Sequence, residues 1–218
     1  MRKTTPKSYE YISNLSRSES QLMQTARTNS EALGLEAISL TQLEGQLLQF
    51  YCESIQAGKI VEIGTLTGLS ALYLLETIPS GGHLWTIEKS PEHAVLAAKV
   101  LAGYIEKKQC RILIGDAREK LSQISNEGPF DAVFIDGNKA AYLDYFNWAV
   151  ENTRTGGLIM ADNVFLAGAV WGDQTTQKFN DRQIQAVHQM NEIAFNNPRL
   201  KSVIVPTTEG LLVCKKIS

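Results

Sequence analysis

Residues 202–215, S-V-I-V-P-T-T-E-G-L-L-V-C-K, contain two strand-like runs, 202–205 and 211–215, with only Pro206 to Gly210 between them. A parallel crossover needs roughly a dozen or more residues, so two strands this close must pair antiparallel. The chain upstream has the opposite habit. Residues 59–63, 83–88, 110–115, 130–136 and 157–162 read as strands. Helical patterns follow them over 69–78, from Pro91 to about Lys107, and over 118–124, 140–152 and 181–195. Strands alternating with helices call for an α/β fold, a parallel sheet with helices on both faces. A mostly parallel sheet closed by an antiparallel C-terminal hairpin is uncommon among nucleotide-binding folds, so the ending discriminates between them.

Outward from that frame, Leu40, Leu43, Leu47, Tyr51 and Ile55 recur at helical spacing and Gly58 follows as a stop. Residues 1–38 read as a polar, helical extension, and 39–218 as the catalytic domain. At 218 residues the chain suits one α/β domain. Its net charge of -2 supplies no basic field for nucleic acid or an anionic membrane. No apolar run approaches the roughly 20 residues that span a bilayer, and the N-terminal stretch lacks a signal peptide's apolar core, so a cytoplasmic protein is expected. Cys52, Cys110 and Cys214 are far apart with no CxxC pair, which speaks for a reducing compartment and against zinc or disulfides. Cys110 and Cys214 are expected in the core. His83, His93 and His188 have no partner at metal-ligand spacing, so surface or helix-packing roles are expected for all three.

The first strand runs into Glu62-Ile63-Gly64-Thr65-Leu66-Thr67-Gly68-Leu69-Ser70. Gly64 and Gly68 permit a tight turn and close approach to a ligand. The pattern is E-x-G-x-x-x-G, without the third glycine of dinucleotide binders or the lysine of a P-loop. Alone it fits any strand-to-helix turn. Glu88, ending the second strand, is placed to accept bonds from ribose hydroxyls, and Asp116, in Gly115-Asp116-Ala117, from an adenine amine. Taken singly, each acid is as well explained as a helix N-cap. Glu62, Glu88, Asp116 and Asp136 together put negative charge at four strand ends, which would repel a pyrophosphate and suits a cationic sulfonium such as S-adenosylmethionine (SAM).

The fourth and fifth strands deliver Asp136-Gly137-Asn138-Lys139 and Asp162-Asn163. Asp136, Asp162 and Asn163 offer oxygen ligands for a hard cation, with Mg²⁺ favoured over Mn²⁺ or Ca²⁺. In isolation, the Asp162-Asn163 pair reads equally well as a turn or cap. Lys139 starts a helix, where the dipole and a nearby cation would favour its use as a general base.

The runs VEIGTLTGLS, WTIEKS, GDA, FIDGNKAAY and ADNVFLAGAV together resemble the cation-dependent class I O-methyltransferases, the group of the catechol and caffeoyl-CoA enzymes. The resemblance runs from about Leu40 to the C-terminus. It implies a Rossmann-like class I methyltransferase fold with a seven-stranded, mostly parallel sheet. It makes Asp136, Asp162 and Asn163 the metal ligands and Lys139, with Asp136, the catalytic pair. Glu62, Gly64, Thr65, Gly68, Ser70, Glu88, Asp116, Ala117 and Asp136 become cofactor contacts, and Gln42 and its neighbours line the pocket or its lid. It also implies a homodimer and a small aromatic diol as acceptor. An amine or macromolecular acceptor, and a non-catalytic SAM-binding protein, stand as alternatives. In the loop over 164–177, Trp171 is set either to stack on an acceptor or to dock on its own protein. Glu209-Gly210 stands where the relatives usually show Asp-Gly.

Overall fold

A computed structural model describes residues 7–35, 38–173 and 178–218. The apolar runs between glycine and proline turns form seven strands: β1 (Lys59–Ile63), β2 (His83–Glu88), β3 (Cys110–Ile114), β4 (Phe130–Ile135), β5 (Thr153–Ala161), β6 (Leu200–Val205) and β7 (Leu211–Lys216). They make one sheet in the order β3-β2-β1-β4-β5-β7-β6. β1 pairs parallel with β2 and β4, β2 with β3, and β4 with β5. β7 alone runs against its neighbours, antiparallel to both β5 and β6. The hairpin expected from the short Pro206–Gly210 gap is therefore present, and its second strand lies inside the sheet.

The helices are α1 (Lys7–Leu15), α2 (Gln21–Ala32), α3 (Gln42–Ser54), α4 (Leu69–Leu75), α5 (Pro91–Val100), α6 (Ala102–Glu106), α7 (Ala117–Ile124), α8 (Tyr142–Asn152) and α9 (Asp181–Asn196). Strand side chains alternate between faces, which divides the core in two. Val61, Ile63, Val133 and Ile135 pack with Tyr142 and Phe146 of α8 and Met190 of α9. Ile60, Ala132, Phe134 and Met160 face the other way, toward Leu48 of α3 and Leu72 of α4. Glu62 falls on this second face by the same alternation and is buried there. Cys110 and Cys214 are buried in β3 and β7, as expected.

Some boundaries differ from the sequence reading; α4, for instance, ends at Leu75 and β6 begins at Leu200. The helix after β2 breaks at Leu101, which ends α5 and leads into α6. A 3₁₀ turn at Lys139–Ala141 precedes α8, so Lys139 stands on tighter backbone than an α-helix. β5 begins at Thr153, and Lys216 Nζ donates to the Thr153 carbonyl at 2.8 Å.

The N-terminal stretch also does more than its polarity suggests. Ser20 caps α2, and Met23, Ala26 and Ser30 form its buried stripe. Met23 and Ala26 join the core shared with α3 and α4. One methionine beside small residues carries little hydrophobic signal, although burying Met23 contributes about 2 kcal/mol. Among the described residues no helix is long and apolar enough to cross a membrane.

Candidate active site

Backbone bonds that continue the sheet hold the strand ends level. Gly64 N donates to Ile87 O at 2.9 Å, Gly115 N to Glu88 O at 2.9 Å, Asp136 N to Ile63 O at 2.8 Å and Asp162 N to Ile135 O at 3.0 Å. The strand order reverses beside β1, where open α/β sheets form their binding crevice. Gly64 sits at that point with φ +103°, and a Cβ there would lie 2.1 Å from the Asp136 carbonyl oxygen. Only glycine allows the turn to pass so close to β4. Gly68, with φ +93°, serves packing instead. A Cβ there would come within 3.0 Å of Val100, so its absence lets α4 approach α5.

A cavity of about 340 Å³ opens over these ends. Gly64, Thr65, Ser70, Glu88, Ala117, Asp136, Lys139 and Asn163 of the expected set line it. Glu62, Gly68, Asp116 and Asp162 do not reach its wall. Glu62 is fully buried behind the turn, and its Oε2 accepts from Thr86 Oγ1 at 2.5 Å. Burial pushes its carboxyl up to about 7, against the opposing contacts with Ser70 and Thr86 and with help from the charges of Asp136 and Glu88. The acidic rim expected from four carboxylates is weaker for that reason. Asp116 is the N-cap of α7; it accepts from Arg118 N at 2.9 Å and pairs with the Arg118 guanidinium at 3.1 Å. Its Arg118 bonds hold the carboxyl below its usual value. Glu88 accepts from Leu66 N and Ser90 N, each at 2.8 Å, and so braces the glycine turn from inside the cavity.

Gln42 departs from its expected place. Its Nε2 donates to Arg17 O at 2.6 Å and its Oε1 accepts from Ser13 at 3.3 Å, so it faces the N-terminal segment. The residues before it, Ile38, Ser39 and Leu40, form the wall instead. His93, expected in a surface or packing role, also lines the cavity, with Nδ1 3.6 Å from Glu88. Asn138 and Tyr145 line it too. Asn138 lies in the β4-end run between Asp136 and Lys139; the others named here belong to no strand-end motif, and the fold brings them to one place.

At the β4 and β5 ends, Lys139 Nζ donates to Asp136 Oδ1 at 2.8 Å and to the hydroxyl of Tyr142. Tyr142 is buried and donates in turn to the Asp162 carbonyl at 3.0 Å, so one side chain ties both strand ends to Lys139. Asn163 adopts φ +59°, a left-handed conformation that asparagine tolerates better than most residues. That turn lets its Nδ2 donate to Asp162 Oδ2 at 3.0 Å. Asp162 Oδ1 is buried with no hydrogen-bond partner among the described residues. Burial, with Glu44 and Asp136 adding repulsion, pushes the Asp162 carboxyl well above its ordinary value. Two carboxylates and an amide oxygen suit a hard cation, and a positive charge there would relieve the repulsion. Among the described residues no cluster of three or more His, Cys, Asp or Glu side chains forms a metal site.

The loop after β5 is fixed by the hairpin turn. Glu209 accepts from Ala167 N at 3.0 Å, and a Cβ on Gly210 would lie 2.8 Å from the Phe165 ring. Trp171, 63% exposed, sets its edge against Phe165 at 5.3 Å between centroids. It docks on its own protein. Residues 174–177, the end of the loop read from sequence, lie outside the described residues.

A profile of the O-methyltransferase family matches residues 13–217. The chain belongs to that family. The matched region takes in α2, well before the point at which the motifs of this O-methyltransferase become legible. A catechol O-methyltransferase of Niastella koreensis is 34% identical over 89% of this chain and 87% of its own. Among solved structures, the O-methyltransferase TomG of Streptomyces achromogenes, in complex with SAM, superposes with a TM-score of 0.87 at 28% identity, covering 97% of this chain and 96% of its own. The O-methyltransferase of Bacillus cereus, in complex with SAH, reaches 0.87 at 29% identity, covering 99% of this chain and all of its own. These likenesses agree with the Rossmann-like class I methyltransferase fold, including the antiparallel last strand.

Proposed function

We propose that this enzyme transfers the methyl group of SAM to a hydroxyl of a small aromatic acceptor with vicinal hydroxyls, assisted by a divalent cation, Mg²⁺ in the first place. The observation that carries the reading is the grouping of Asp136, Lys139 and Asn163 on the cavity's lining with Asp162 buried behind them, bonded to Asn163. The SAM-bound and SAH-bound family structures support the cofactor, and the catechol O-methyltransferase relative supports the acceptor.

Gly64, Thr65 and Ser70 would receive the cofactor along the turn, with Glu88 beside its ribose and Ala117 by the adenine. Glu62 and Asp116 act there at one remove, Glu62 through Thr86 and Thr65, and Asp116 by capping the helix that carries Ala117. Gly68 serves by packing. Asp136, Asp162 and Asn163 would hold the cation. The unpartnered Asp162 Oδ1 and the all-oxygen donor set fit that group. When bound, the cation supplies charge that stabilises an acceptor oxyanion and orients it. Lys139 Nζ, positioned by Asp136 and Tyr142, would take the hydroxyl proton from its neutral amine form, which a cation held on Asp136 would favour by drawing that carboxylate's charge away. The chain's own contribution is to hold the acceptor oxygen in line with the sulfonium methyl and keep water out. Residues 39–218 form the catalytic unit on this reading, and a homodimer follows from the family resemblance.

Methyl transfer to a panel of catechols tests the proposal. Activity should require SAM, vanish with EDTA and return with Mg²⁺. Turnover that survives both chelation and Asp162→Ala would remove the cation from the reaction. Sedimentation velocity checks the dimer.

A further inference from the structure

The N-terminal helix α2 touches the cofactor cavity's wall at two points. Thr67, which lines the cavity, donates through Oγ1 to the Ala26 carbonyl at 2.8 Å and lies 2.7 Å from the Ser30 hydroxyl. Arg27, one residue after Ala26, donates through Nη1 to the carbonyl of Leu40 at 2.8 Å, and Leu40 also lines the cavity. The Arg27 guanidinium is itself held by two bonds to Glu19, at 2.6 and 2.5 Å. Glu19 also accepts from Tyr73 of α4 at 2.5 Å. Tyr73 reaches that carboxylate past Gly45 of α3, where a Cβ would lie 2.5 Å from the ring.

We propose that Glu19, Arg27 and Tyr73 form a clamp that sets the Ser39–Leu40 wall against the glycine turn, making Arg27 a positioning residue for SAM binding. The inference rests on the SAM reading of the cavity. Three charged or polar groups converge where solvent is largely excluded; the Glu19 side chain is 12% exposed and that of Arg27 27%. Burial alone would push the Glu19 carboxyl up, but the bonds from Arg27 and Tyr73 outweigh it and hold it below its ordinary value. A planar guanidinium can satisfy Glu19 twice and still spare a donor for the Leu40 carbonyl, a spread of three nitrogens that the single nitrogen of a lysine cannot reproduce.

Calorimetric titration of the full chain with SAM separates positioning from plain stability. Arg27→Met should weaken SAM binding about tenfold while leaving the acceptor KM at saturating SAM unchanged. Met23→Ala, on the same helix and in the same core but with no hydrogen bond to either wall, should lower the melting temperature at least as much and leave the SAM Kd within about twofold. An Arg27→Met protein that binds SAM like the wild type, or a Met23→Ala protein that loses as much affinity, would overturn the clamp. Should Arg27→Met fail to fold, Tyr73→Phe removes one hydroxyl and should cost about threefold in affinity; no change would be equally fatal. A wild-type chain that binds no SAM would overturn the reading of the cavity itself.

Discussion

Glu62 is a carboxylate enclosed by protein, and replacing it with glutamine should change how stability depends on pH. Its folded-state value of about 7 against an ordinary 4.5 corresponds to about 3 kcal/mol of preference for the protonated form. Full burial leaves no solvent screening to discount. The sign follows from proton linkage: the folded state binds this proton more tightly than the unfolded state. Glu62 therefore contributes its stability in full below pH 4.5, and loses it as pH rises through about 7. Glu62→Gln keeps the shape and stays neutral. The variant should exceed the wild type by less than about 1 kcal/mol near pH 5 and by up to about 3 kcal/mol at pH 8, in each case less what the Thr86 bond loses when its acceptor is an amide. Urea titrations at pH 5, 6, 7 and 8 without ligand measure this, and the difference between the two proteins cancels the contributions of other groups. For a chain of this size the gain at pH 8 corresponds to a melting temperature higher by about 5–10 °C. Parallel stability curves for the two proteins between pH 5 and 8 would refute the reasoning.

Gly64→Ala places a methyl against the Asp136 carbonyl at a positive φ, and should cost about 3 kcal/mol or more with loss of SAM binding, measured by thermal melting and calorimetry. Cys52 and Cys110, raised by burial to about 12, and Cys214, raised to about 11, should resist a thiol reagent in the native protein and react only in denaturant. Rapid labelling before unfolding would contradict that. Glu209→Ala removes the acceptor for Ala167 N and should destabilise by about 1 kcal/mol. Because it loosens the loop after β5, it should raise the acceptor KM while sparing the SAM Kd; steady-state kinetics with both substrates separates the two.

The strands were legible because apolar runs between Gly and Pro turns leave few alternatives, and the final pairing because five residues cannot carry a crossover. The position of β7 between β5 and β6 was not, since hydrophobic pattern says which face is buried and nothing about which neighbour is chosen. Strand-end motifs located Gly64, Glu88, Asp136, Lys139 and Asn163 on the cavity because the parallel strands β1 to β5 bring their carboxyl ends to one edge. Asp116 shows the limit of that logic. The same carboxylate in the same spacing serves a ligand or a helix cap, and the Arg118 two residues on selects the cap. Ser39 and His93 come from positions with no periodic or motif signal, the helical spacing that includes Leu40 says nothing of a cavity, and Gln42 is turned away by Ser13 and Arg17, partners far off in the chain. The helical extension was legible but the burial of α2 in the core was not, because its buried face is mostly small side chains.

The strand order carries a consequence for how the protein is made. β6 leaves the ribosome before β7, yet its only partner in the sheet is β7. Until residues 211–216 emerge, β5 presents a bare edge and β6 has no ladder to join. Completion of this side of the sheet therefore waits for residues 211–216. Because the turn that delivers β7 also carries Glu209 and Gly210, the loop beside the cavity can take its final form only at that same step.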